Sequence, residues 1–232
     1  MSVAGKEKSA LIIGASRGLG LGLSLELLRR GWKVTATVRA AVANSGFDAY
    51  HDHVTLDTLD INKPAMVAPF VQRRTGQLFD VVFINAGIGG PQGKTAETAS
   101  VDEVTQLMMT NAISPVSLAY KLRPMVRPNT GILAFMSSIL GSVGTDNGGH
   151  AQLYSASKAA LNSLTRSFVA GLGEPEITVL SMHPGWVRTD MGGTGADIDV
   201  ETSVRGIADV LQAKAGAGGH AFLDYKGHTL PW

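Results

Sequence analysis

The stretch Ser9-Ala10-Leu11-Ile12-Ile13-Gly14-Ala15-Ser16-Arg17-Gly18-Leu19-Gly20 is a short apolar run that ends in a glycine-rich turn. Ser9 to Ile13 is too short for a helix and has no polar alternation, the pattern of a strand buried on both faces. Helix-forming sequence follows through Arg30, with Gly31 placed to cap it. Strand, glycine turn and helix in that order open a doubly wound α/β fold. Its glycines let the backbone approach a pyrophosphate, whose charge the helix N-terminus meets. The spacing is G-x-x-x-G-x-G, not the common G-x-G-x-x-G, and the alternative is a tight strand–helix turn with no ligand.

Working outward, Lys33 to Val38 reads as a second strand and ends at Arg39, 19 residues after Gly20. An acid at that distance would hold a ribose 2′-hydroxyl, but none occurs before Asp48. An arginine there suits a 2′-phosphate, and Arg17 in the turn can add a second positive charge; the alternative is a solvated arginine at a strand end. His53 to Leu56 is a brief third strand. Asp60 and Ile61 follow it, either to hold an adenine ring or, for Asp60, to cap a helix from Pro64. Further strands are expected at Val81–Ile84, Ile132–Met136, Ile177–Met182 and Ala221–Leu223. The fourth ends in Asn85-Ala86-Gly87, the fifth in Ser137-Ser138 and the sixth in His183-Pro184-Gly185. Ligands of open α/β sheets bind beyond the carboxyl ends of the strands, so these exits face one crevice. The polar, glycine-rich segment from Asp190 to Asp199 suits a lid, and Val200 to Ala213 reads as a helix.

Composition bounds the function. With 232 residues, 44% apolar and 17% charged, the chain is expected to form one domain with a large core. A net charge of +1 without a basic block argues against a nucleic-acid surface. No cysteine is present, so disulfides and thiolate metal sites are excluded, and the six histidines lack metal-ligand spacing; no metal is assigned. His183 reads as a packed crevice residue. No apolar run reaches signal-peptide or membrane-spanning length, so a soluble, cytoplasmic protein is expected.

The chemistry is expected at Tyr154-Ser155-Ala156-Ser157-Lys158. On a helix, residues four apart share a face, which puts an ammonium beside a phenol. The cation favours the phenolate, so Lys158 is expected to draw the Tyr154 pKa down toward a useful range. One helix is expected from Ser100 to Arg123, interrupted by Pro115, which offers no N–H to the carbonyl of Asn111. That carbonyl either holds a water near the lysine or reaches solvent.

Taken together, these residues resemble the short-chain dehydrogenase/reductase family over almost the whole chain. The similarity lies in Gly14, Gly18 and Gly20, in Asn85-Ala86-Gly87, in Pro184-Gly185, and in Asn111, Ser138, Tyr154 and Lys158 in the family's order. The finer texture, His183 to Gly193 and Phe222 to Trp232, is similar to the C-factor and sniffer-type carbonyl reductases. The resemblance implies a Rossmann-like doubly wound parallel sheet of about seven strands, with helices on both faces. It implies NADP bound along Gly14, Ser16, Arg17, Gly18, Leu19 and Gly20, at Arg39, Asp60 and Ile61, and at Asn85, Ala86 and Gly87. Tyr154, Lys158, Pro184, Gly185, Val187 and Thr189 complete that set. The implied catalytic residues are Asn111, Ser138, Tyr154 and Lys158, the implied substrate a small carbonyl compound, and the implied assembly a homodimer or homotetramer. A regulatory dinucleotide binder with weak catalysis is the alternative. Two departures stand out: Ile13 replaces the family's threonine before the first glycine, removing a hydroxyl that braces the turn. The serine-to-tyrosine gap is also long, which leaves Ser137 as a rival to Ser138.

Overall fold

The computed structural model of the protein describes residues 7–40, 46–145, 149, 151–173 and 176–232; Asp146, Asn147 and His150 of the loop before Tyr154 lie outside them. Seven strands form one sheet: β1 (Ser9–Ile13), β2 (Lys33–Val38), β3 (Val54–Thr58), β4 (Val81–Ile84), β5 (Ile132–Met136), β6 (Thr178–His183) and β7 (His220–Asp224). All pairings are parallel and the order is β3-β2-β1-β4-β5-β6-β7. Parallel strands require crossovers, and the helices that make them cover both faces.

Side-chain alternation divides the core in two. Ala10 and Ile12 of β1 face α1 (Gly18–Arg29) and α6 (Val200–Lys214), packing with Leu23, Leu27 and Ile207. Leu11 and Ile13 face the other layer, α2 (Pro64–Gln72), α4 (Ser114–Leu122) and α5 (Gln152–Ala170), and pack with Phe70, Leu118 and Phe168. Strands buried on both sides are apolar at every position, which is why the short runs are legible as strands.

The expected helix from Ser100 to Arg123 is not continuous. It comprises α3 (Val101–Met108), a π-helical segment Met109–Ile113 and α4. Ser100 starts it with a capping box, its hydroxyl accepting from the Glu103 N–H while the Glu103 carboxylate accepts from the Ser100 N–H. Because Pro115 cannot donate, the turn before it widens, and the Ser114 N–H reaches back to the Met109 carbonyl. A second correction concerns Asp60. Lys63 occupies the N-cap of α2 without a side-chain bond, and the Asp60 carboxylate instead accepts from the Asn62 N–H at 3.0 Å.

Neighbours of β1 lead away in opposite directions, toward β2 on one side and β4 on the other. The crevice that this reversal opens lies at the carboxyl ends of β1 and β4, beside Gly14 and Asn85.

Candidate active site

Gly14 follows β1 with φ of 88°, and a Cβ there would stand 2.9 Å from the Ala86 Cα. The Gly14 carbonyl accepts from Asn85 Nδ2 at 2.8 Å, and a Cβ on Gly20 would fall 2.0 Å from that same oxygen. Only residues without side chains allow β1, β4 and the start of α1 to meet this closely. The turn does not lack a brace despite Ile13. Thr37, wholly buried on β2, accepts the Gly14 N–H at 3.0 Å through its Oγ1, so the hydroxyl arrives from the neighbouring strand.

A cavity of about 1130 Å³ runs from this turn along the carboxyl edge of the sheet. Every residue expected at the site lines it except Gly20 and Asn111. Gly20 acts through the packing just described. Asn111, wholly buried in the π segment, spends its side chain on a clip: Nδ2 donates to the Ile88 carbonyl (2.8 Å) and to Ser157 Oγ (3.0 Å), and Oδ1 accepts the Ile88 N–H (2.8 Å). It thereby ties the segment after β4 to α5.

Ser138, Tyr154 and Lys158 meet on the cavity wall. The Lys158 Nζ is buried, donates to the Met136 carbonyl at 2.8 Å and lies 5.6 Å from the Tyr154 ring centre. Burial pulls its pKa down to about 8. The expectation that Lys158 draws the Tyr154 pKa down is not met. Burial pushes the phenol up to about 12, and the opposing influence is a hydrogen bond with Ser138. The two serines, both on the cavity wall, differ in their partners. Ser137 donates to Asn162 Oδ1 at 2.7 Å in the core, whereas Ser138 reaches the phenol and also accepts the Leu140 N–H at 3.2 Å.

At the opposite end Arg39 is exposed and engages no described residue. Arg17 pairs with Asp190 at 2.6 Å, linking the glycine turn to the segment expected to form a lid. That segment is held further by Trp186 Nε1 donating to the Gly192 carbonyl (2.9 Å) and by the Gly192 N–H bonding Thr189 Oγ1 (3.1 Å). Trp186 and Met191 put large apolar surfaces at its mouth, 53% and 54% exposed.

Comparison with known proteins agrees with this geometry. Residues 8–197 match the family model for short chain dehydrogenases. The chain belongs to the short-chain dehydrogenase family. A short-chain dehydrogenase/reductase from Burkholderia multivorans, solved with bound NADP, superposes with a TM-score of 0.94 at 40% identity over 97% of this chain and 100% of that one. A carbonyl reductase from Pseudomonas aeruginosa PAO1 in complex with NADP gives 0.90 at 37% identity, covering 98% and 100%. The C-signal protein of Myxococcus xanthus is 32% identical over 66% of this chain and 92% of its own.

For a short-chain dehydrogenase, this cavity suits a dinucleotide. A Cβ-free backbone at Gly14, the N-terminus of α1 and the guanidinium of Arg39 match diphosphate and 2′-phosphate chemistry. Among the described residues, no three His, Asp or Glu cluster to hold a metal, and no helix is long and apolar enough to cross a membrane. Sequence reading missed Thr37, Trp186 and Met191. Thr37 is one threonine in a β-branched strand, and nothing in its spacing marks the turn it braces.

Proposed function

We propose that the chain is an NADPH-dependent carbonyl reductase that converts a ketone, aldehyde or quinone to the alcohol. The observation that carries this reading is the meeting of Ser138, Tyr154 and Lys158 in the cavity that the glycine turn and Arg39 also line. NADP in the Burkholderia and Pseudomonas structures supports the choice of cofactor.

Gly14 to Gly20 and Arg39 would hold NADPH, which would supply the hydride when bound. The chain's own residues handle the oxygen. Ser138 donates a hydrogen bond to the substrate oxygen, where negative charge grows. Tyr154 donates the proton. A phenol whose pKa is pushed up to about 12 is fully protonated at neutral pH, as an acid in the reductive direction must be. Lys158, still charged at neutral pH with a pKa near 8, stabilises the tyrosinate left behind. Asn111 acts as a positioning residue: its clip fixes Ile88 and Ser157 around the site. Its backbone carbonyl, to which Pro115 offers no N–H, would accept from a water that returns the proton.

The likeness to C-signal supports a second reading, a dinucleotide-binding signalling protein. A sensor has no need of a lysine buried beneath a tyrosine and serine, so catalysis is favoured. Loss of nicotinamide absorbance with NADPH and a panel of ketones, aldehydes and quinones decides between them. Turnover of at least one class supports the reductase, and none with retained NADPH binding leaves only the binder.

A further inference from the structure

Asn162 is 4% exposed, on a stretch of α5 whose other buried members include Leu161, Thr165 and Phe168. A leucine would pack there with no hydrogen-bonding demand, whereas a buried amide is costly if either end is left unpaired. Both ends are paired. Oδ1 accepts from the Ser137 hydroxyl at 2.7 Å, and Nδ2 donates to the Gly141 carbonyl at 3.2 Å. A carbonyl can only accept, so the Gly141 contact fixes which way the amide faces and leaves its oxygen for Ser137.

The two partners bracket Ser138. Ser137 precedes it, and Gly141 ends the 3₁₀ turn Ile139–Gly141, which Ser138 caps by accepting the Leu140 N–H. One side chain of α5 therefore holds both ends of the segment that presents the serine. The same helix presents the other two groups: Asn162 lies one turn beyond Lys158 and two beyond Tyr154. Turn and helix touch closely, since a Cβ on Gly141 would stand 2.7 Å from the Lys158 carbonyl carbon. Lys158 Nζ adds a third tie, to the Met136 carbonyl just before Ser137. Asn162 itself does not line the cavity, so whatever it does for the reaction it does through these neighbours.

We propose that Asn162 is a positioning residue for carbonyl reduction: it locks the Ser138 segment onto α5, so that the serine hydroxyl and the Tyr154 phenol meet the same substrate oxygen. This rests on the reductase reading above. A catalytic group displaced by about 1 Å can lose roughly a hundredfold in rate, so a clamp on both ends of the segment has a kinetic signature separate from stability.

The test is a double-mutant cycle between Asn162→Leu and Ser138→Ala. It is read as single-turnover NADPH oxidation with enzyme in excess, so that slow variants are still measured. The substrate is whichever of 4-nitrobenzaldehyde, cyclohexanone and menadione the wild type reduces fastest. Asn162→Leu should slow the reaction roughly 10–100-fold and leave the NADPH dissociation constant within about threefold of wild type. In the Ser138→Ala background it should cost less than about threefold, because no serine oxygen remains to be misplaced. A residue that merely supports the fold would slow both backgrounds alike. If Asn162→Leu does not fold, Ser137→Ala replaces it and removes one of the two ties. Its loss, about three- to tenfold, should likewise vanish without the Ser138 hydroxyl. Equal losses in the two backgrounds overturn the inference. So does an unchanged rate in the variant that folds, or a fall in NADPH affinity as large as the fall in rate. A wild type that reduces none of the three compounds, nor any other carbonyl, overturns the reductase reading and this inference with it. One that reduces them, with losses independent of Ser138, overturns this inference alone.

Discussion

Lys158 illustrates how a residue's place changes what its type alone suggests. The pairing with Tyr154 was legible from spacing four apart, but the direction of both shifts was not, because burial acts on each group separately and spacing does not reveal it. The ammonium is needed charged and its pKa sits near 8. Carbonyl reduction should therefore be flat below that pH and fall as pH rises through it, with Lys158→Ala slower by about two orders of magnitude throughout. A rate that stays flat to pH 10 in the wild type would remove Lys158 from the reaction. Arg39 carries the cofactor choice. Arg39→Asp should weaken NADPH by roughly 10–100-fold, the value of a charge-assisted hydrogen-bonded pair, while NADH changes little or improves. Equilibrium titration of nicotinamide fluorescence with each cofactor measures it, and equal losses for both would contradict the role.

At the level of elements, the glycine turn depends on a contact that crosses strands. Thr37→Val keeps the shape and removes the oxygen that accepts the Gly14 N–H, so it should cost about 1–2 kcal/mol of unfolding free energy and loosen NADPH binding. Urea unfolding and cofactor titration of the variant check this; no change in either would mean the turn holds without the brace. The strands β1, β4 and β5 were readable to the residue, since a doubly buried strand is apolar throughout and a glycine, asparagine or serine ends it, and β2 was readable from its β-branched residues. The third was less so: β3 is an edge strand, largely exposed, and carries little apolar signal. The helix through Asn111 was legible as helical and as interrupted, but its π turn was not, because Pro115 dictates a missing donor and leaves the remedy to the surrounding packing. The clamp made by Asn162 left no trace in the sequence. It depends on Ser137 and Gly141, which lie 25 and 21 residues away in the chain.

For the molecule as a whole, two half-buried histidines set a limit on the acid side. Burial lowers both His183 and His220 to about 4, helped at His220 by the Arg166 charge and opposed at His183 by Asp224. Unfolded histidines take up protons below about 6.5, which the folded ones refuse until about 4. Stability should therefore be full above pH 6.5 and fall between 6.5 and 4, by roughly 1–2 kcal/mol per histidine after allowing for partial exposure. Urea midpoints measured across that range should slope less in His220→Gln than in the wild type; identical slopes would place the acid sensitivity elsewhere. The whole architecture serves one convergence, in which a sheet reversal brings the glycine turn to β4 while β5 and α5 deliver Ser138, Tyr154 and Lys158 to the same cavity. The phenol of Tyr154 is the atom group on which the reductase reading turns, and Tyr154→Phe removes its oxygen alone. The decisive measurement is steady-state carbonyl reduction by Tyr154→Phe alongside its NADPH dissociation constant. Turnover should drop by at least about a hundredfold while the dissociation constant stays within a few-fold of wild type; turnover that survives, or two quantities that fail together, would contradict it.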